Sequence, residues 1–116
     1  MTKRPTIKRD RRRGGDRRQQ ERFALEQNVS WESSSGRLDG TISDISSTGC
    51  FVLSAGDVED GDRVRIDIPL IAGGTVSLWG DVVNHVYEIG FGVRFVGLTE
   101  AQQTYLERFT ETLRSD

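Results

Sequence analysis

The chain has 116 residues, the length of a single domain with room for a short tail. Charged residues make up 29% of it and the mean hydropathy is −0.51, and no run of about 18 apolar residues is present, which excludes a membrane-spanning helix. The opening MTKRPTIKRDRRR lacks the apolar stretch of a secretory signal, so the cytoplasm is the expected compartment.

The formal net charge of −2 hides a strong asymmetry. Residues 1–22 carry ten Lys or Arg against three acidic residues, an excess of seven positive charges; the rest carries six basic and fifteen acidic residues, an excess of nine negative charges. Such a division attracts a polyanion to one end of the chain and repels it from the body. Residues 1–16 have almost nothing apolar to bury and contain Pro5 and Gly14-Gly15, so they read as a flexible basic arm, with a folded domain over 17–116.

From Phe23 onward the apolar residues fall at alternate positions, the period of a half-buried strand. Phe23, Leu25, Val29 and Trp31 share a face, and Ser33-Ser34-Ser35-Gly36 supplies a turn. A returning strand carries Leu38, Gly40 and Ile42 and ends near Asp44. If the two strands form a hairpin around Ser34-Ser35, Asp44 falls opposite Leu25, a few residues from Arg22. A third strand covers Cys50–Ser54, with Cys50 expected to be buried and inert. The fourth places Val64, Ile66 and Ile68 inward and Arg63, Arg65 and Asp67 outward, closed by Pro69. A fifth carries Val76, Leu78, Gly80 and Val82 on one face and runs towards Tyr87. The sixth has Phe91, Val93 and Phe95 inward, with Gly92 and Arg94 outward. Thr99, followed by Gln102, reads as a capping box opening a helix with Ala101, Tyr105, Leu106, Phe109 and Leu113 in a stripe. Short strands, regular turns and one helix point to an antiparallel barrel or sandwich.

Catalytic chemistry finds little support. His85 stands alone on a strand, the acidic stretch Asp57–Asp62 does not follow calcium-loop spacing, and Gly90-Phe91-Gly92 leads into a strand rather than a helix. Two features remain. Arg17-Arg18-Gln19-Gln20-Glu21-Arg22 sets arginines ahead of the first strand, suited to phosphate oxygens and to guanine O6 and N7. Asp44-Ile45-Ser46-Ser47-Thr48-Gly49 offers a carboxylate that can accept from guanine N1–H and N2–H, a hydroxyl at Ser46, and at Gly49 a residue free to take positive φ and to let backbone approach a ligand. The hairpin brings the two together, an inventory that suits a guanine nucleotide with at least one phosphodiester. Each feature alone has an ordinary alternative, a basic solubilising tail and a common turn.

These residues resemble the signatures of the PilZ domain family, RxxxR followed some 20–30 residues later by [D/N]xSxxG. Here they are Arg18 to Arg22 and Asp44 to Gly49, with Gly90-Phe91-Gly92-Val93-Arg94-Phe95 and the helix resembling the end of that domain. The resemblance implies a mainly β fold, a six-stranded antiparallel barrel with a C-terminal helix. It also implies a non-enzymatic receptor for cyclic di-GMP, needing no cofactor or metal. Arg18, Arg22, Asp44, Ser46 and Gly49 are carried over as ligand-binding residues. Arg17, directly before RxxxR, goes in some members with an intercalated ligand dimer, and Trp79 and Gly80 lie on a strand that can line the site. The expected mechanism is ordering of the arm over the ligand, with a downstream protein reading the new surface. Two rivals remain open at this point: a basic-arm barrel that binds nucleic acid, disfavoured by the acidic body, and a ligand-independent adaptor that docks through its helix.

Overall fold

The computed structural model describes residues 21–114. Six strands follow in chain order: β1 (Phe23–Ser33), β2 (Gly36–Ile45), β3 (Gly49–Leu53), β4 (Arg63–Pro69), β5 (Thr75–Val86) and β6 (Gly90–Phe95). A single helix, α1 (Glu100–Arg114), comes last. The strands close into an antiparallel barrel in the order β1-β2-β3-β6-β5-β4, so both β3–β6 and β1–β4 are pairings between strands distant in sequence. Closure removes the exposed edges that an open sheet of this size would present. The expected barrel with its C-terminal helix is the fold observed.

The alternating residues fill the interior. Trp31, Ile42, Val52, Val64, Ile66, Leu78, Val82, Phe91 and Val93 are all buried. Trp31 and Phe91 meet edge to face with ring centroids 4.8 Å apart, and the indole Nε1–H donates to Ser54 Oγ at 3.0 Å, which satisfies its one polar group. Helix α1 closes the core with Leu106, fully buried, a side chain whose burial stabilises by about 2 kcal/mol. Its start follows the sequence pattern: Gln102 N–H donates to Thr99 Oγ1 at 3.1 Å and Thr99 N–H to Gln102 Oε1 at 3.0 Å, the reciprocal capping box. Gln102 also donates from Nε2 to the Ser77 carbonyl at 2.9 Å, fastening the helix to β5. Ala101 is exposed, and Thr110 is buried in the stripe instead, its hydroxyl donating back to the Leu106 carbonyl at 2.9 Å.

Two departures from the simple alternation matter. The β1–β2 hairpin keeps the expected register from Ser33↔Gly36 to Gln27↔Ile42, then shifts by one residue, so that Asp44 pairs with Ala24 and not with Leu25. The extra residue is a β-bulge on β1, which bends the strand beside the barrel rim. Asp67 points away from the barrel axis as expected, yet is only 6% exposed. Arg65 Nε reaches it at 3.0 Å, Arg37 Nη1 at 2.9 Å and Ser77 Oγ at 2.7 Å, covering the carboxylate with donors from its own strand, from β2 and from β5. Burial works against its ionisation, but these three hydrogen bonds outweigh it and hold the Asp67 pKa below the ordinary value.

Candidate functional site

Arg22 is the last residue before β1, and Asp44 is the penultimate residue of β2. The bulge and the antiparallel pairing place them at the same end of the barrel. There Arg22 Nη1 donates to Asp44 Oδ1 at 2.5 Å, with the two side chains 49% and 34% exposed. The two sequence features therefore meet through their charged groups. Asp44 uses one carboxylate oxygen in this contact and keeps an open side to solvent, so it can accept further hydrogen bonds. Arg17 and Arg18 lie outside the described residues.

The root of the arm is anchored on both sides of Arg22. Glu21 Oε1 accepts from Arg114 Nη1 at 2.8 Å, and the Arg114 guanidinium lies over the Phe23 ring, 5.2 Å from its centroid. The end of α1 thus holds the residues flanking Arg22 against the barrel.

From Asp44 the chain turns back into β3 around Ser46, which is 1% exposed. Ser46 Oγ accepts from Thr48 N–H at 3.1 Å and from Gly49 N–H at 3.2 Å, and lies 3.1 Å from Thr48 Oγ1. Ser46 N–H donates to the Gly49 carbonyl at 2.8 Å, closing the turn. Serine is suited to this role because its short hydroxyl reaches backbone N–H groups two and three residues on. The structure thus places the Ser46 hydroxyl inside the turn.

Gly49 corrects one expectation. Its φ is not in the positive range, so the turn does not use the conformational freedom of glycine there. A Cβ at this position would stand 2.2 Å from the Val93 carbonyl oxygen, so Gly49 is required by the close approach of β6. The turn is tied to β6 again where Phe95 N–H donates to the Thr48 carbonyl at 2.9 Å. Gly80 on β5 answers to the same strand, since a Cβ there would meet Val93 Cγ1 at 2.3 Å and the Arg94 carbonyl at 2.9 Å. Trp79 is not a core residue. It is 49% exposed on the outer face, with the Arg65 guanidinium 5.9 Å from its ring centroid.

Cys50, directly after the turn, is fully buried. Loss of solvation pushes its thiol up to about 12, against a smaller lowering by the Arg22 charge. Among the described residues no cluster of three or more His, Cys, Asp or Glu could hold a metal ion, and no helix is long and apolar enough to cross a membrane. His85 sits opposite Phe91 on the β5–β6 ladder, and Asp57–Asp62 forms the turn into β4, where Asp62 Oδ2 accepts from Glu59 N–H at 2.9 Å.

A closed barrel whose rim joins an arginine ahead of β1 to an aspartate at the end of β2 defines a small β-barrel domain with a polar site at one end. The chain belongs to the PilZ domain family, whose model matches residues 16–112. No curated protein sequence matches it significantly. Among solved structures it is similar to the PilZ domain of Escherichia coli YcgR with c-di-GMP (TM-score 0.68, 14% identity, covering 82% of this chain and 89% of that one). It is also similar to the PilZ domain of CeSA from a cellulose-synthesizing bacterium (TM-score 0.64, 17% identity, 81% and 98%). A third likeness is to Borreliella burgdorferi PlzA in complex with c-di-GMP (TM-score 0.63, 14% identity), of which the match spans 92% of this chain but 49% of that protein.

Proposed function

We propose that this chain is a non-enzymatic receptor for cyclic di-GMP. The observation that carries the reading is the Arg22–Asp44 contact at 2.5 Å, which brings the two signature segments of the family to one point on the barrel rim. Family membership and the c-di-GMP complexes of similar barrels support it. In this reading Asp44 accepts from the Watson–Crick edge of a guanine, while Arg18 and Arg22 take phosphate oxygens and the guanine O6 and N7. Ser46 and Gly49 serve by fixing the turn that presents Asp44, with the turn's backbone against the ligand. Trp79 offers an exposed indole and Gly80 a close-packed strand on the adjoining face, available as a second wall.

Arg17 extends the arginine set by one, and we assign it to a second, intercalated ligand molecule. The arm orders over the bound ligand, at an entropic cost offset by charge-assisted hydrogen bonds, and the resulting surface is read by a downstream protein. Calorimetric titration of cyclic di-GMP into the intact chain, Arg22→Ala and Asp44→Ala tests this. The expected result is binding by the intact chain, lost in both variants, with a stoichiometry of two ligands per chain. Absence of binding by the intact chain overturns the receptor reading, and a stoichiometry of one overturns the dimer.

A further inference from the structure

Most arginines of the barrel are already committed. Arg22 holds Asp44, Arg37 and Arg65 hold Asp67 and Glu32, Arg63 holds Asp81 at 2.5 Å, and Arg114 holds Glu21. Arg94 on β6 is different. It is exposed, and among the described residues no carboxylate pairs with it. The reason lies in the ladder. Its two cross-strand neighbours are Gly49, which has no side chain to offer, and Asp81, which Arg63 has already engaged.

The ladder also places Arg94 next to the rim site. Asp44, Phe51 and Gly92 form one cross-strand row over β2, β3 and β6, and Arg94 lies two residues further along β6 on the same outer face. At ordinary strand spacing the Asp44 and Arg94 backbones are about 12 Å apart, a gap that two inward-leaning side chains and one nucleotide can span. On its other side Arg94 borders an open recess of about 310 Å³ lined by Ser47 and Thr48 of the turn and by Leu98, Gln103 and Glu107. The guanidinium therefore has room to swing over the turn.

We infer that Arg94 is a further ligand-binding residue, taking phosphodiester oxygens of the nucleotide whose guanine Asp44 receives. This rests on the cyclic di-GMP reading above. An uncommitted guanidinium costs little to redirect, because no existing ion pair has to break, and its planar fork suits bidentate phosphate contact. Arg94 would thus stand as a fourth arginine of the site, contributed by β6 where Arg17, Arg18 and Arg22 lie ahead of β1.

The test is titration of cyclic di-GMP into the full chain, Arg94→Ala, Arg94→Gln and, as control, Arg108→Ala, an exposed arginine on α1 outside the Asp44–Phe51–Gly92 row. Thermal melting accompanies each, and Arg94→Gln, which retains the aliphatic stem, serves if the alanine variant melts early. Loss of a charge-assisted phosphate contact is expected to weaken binding about tenfold or more in both Arg94 variants and to leave Arg108→Ala unchanged. Unchanged affinity in the Arg94 variants, with binding by the intact chain preserved, overturns the role of Arg94 alone. Absence of binding by the intact chain overturns the receptor reading and this inference with it.

Discussion

Arg22 and Asp44, separated by 22 positions in sequence, meet at 2.5 Å on the rim of the barrel, and both side chains remain partly open to solvent. An ion pair this exposed contributes little to folding, typically under about 1 kcal/mol. Arg22→Ala and Asp44→Ala are therefore expected to melt within a few degrees of the parent. Each should weaken cyclic di-GMP binding by about 2–4 kcal/mol, roughly 30- to 1000-fold, because each removes one side of a desolvated charged contact. Parallel melting and titration separate the two effects; a large loss of stability with retained affinity would contradict this assignment.

The glycines of the rim divide by what a Cβ would strike. Gly49→Ala forces a carbon to 2.2 Å from the Val93 carbonyl oxygen, and Gly80→Ala to 2.3 Å from Val93 Cγ1. Both are expected to destabilise by about 1–3 kcal/mol, since the obstacles are close-packed neighbours on β6. At Gly92 the nearest atom would be Asn84 Cβ at 3.5 Å, an ordinary contact, so Gly92→Ala should cost less than either. Urea denaturation of the three variants checks the order.

Asp67 gives the fold an acid-sensitive contribution. Its pKa is lowered in the folded chain, so the stability it supplies is fully present above its unfolded value of about 3.8 and is lost as pH falls through the folded value. Asp67→Asn removes that contribution, takes the buried charge away from Arg37 and Arg65 and turns one acceptor oxygen into an NH2 donor, for a cost of about 2–3 kcal/mol at neutral pH. Melting curves from pH 7 to pH 2 should converge for parent and variant at the acid end.

Burial of Cys50 makes its thiol both inaccessible and weakly acidic, at about 12. Alkylation of the native chain at mildly alkaline pH is expected to be slow and limited by unfolding, and rapid in denaturant. Fast labelling of the native chain would show that the rim above Cys50 opens locally.

Much of this architecture was legible in the residues. Alternation marked all six strands, and the Thr99–Gln102 pair marked the helix start, because both depend on neighbours close in sequence. What depended on distant strands was not legible. The one-residue shift that moves Asp44 from Leu25 to Ala24 is a property of the bulged β1–β2 ladder. Burial of Asp67 requires Arg37 to arrive from β2 across the β1–β4 closure, and the constraint on Gly49 comes from β6. Of the site, the motif residues stood out by chemistry. Arg94 did not, because its significance lies in the pairing of Asp81 with Arg63, which no local spacing reveals.

The most direct test of the account is to map cyclic di-GMP onto the barrel by backbone amide chemical shifts of the labelled chain. Perturbations concentrated at Arg22, at Asp44 through Gly49 and at β6 near Arg94, with the opposite end around Ser34 and Ser35 unmoved, are the predicted result. Shifts that spare the Asp44–Gly49 turn, or no shifts at saturating ligand, would contradict the claim that this rim is a cyclic di-GMP site.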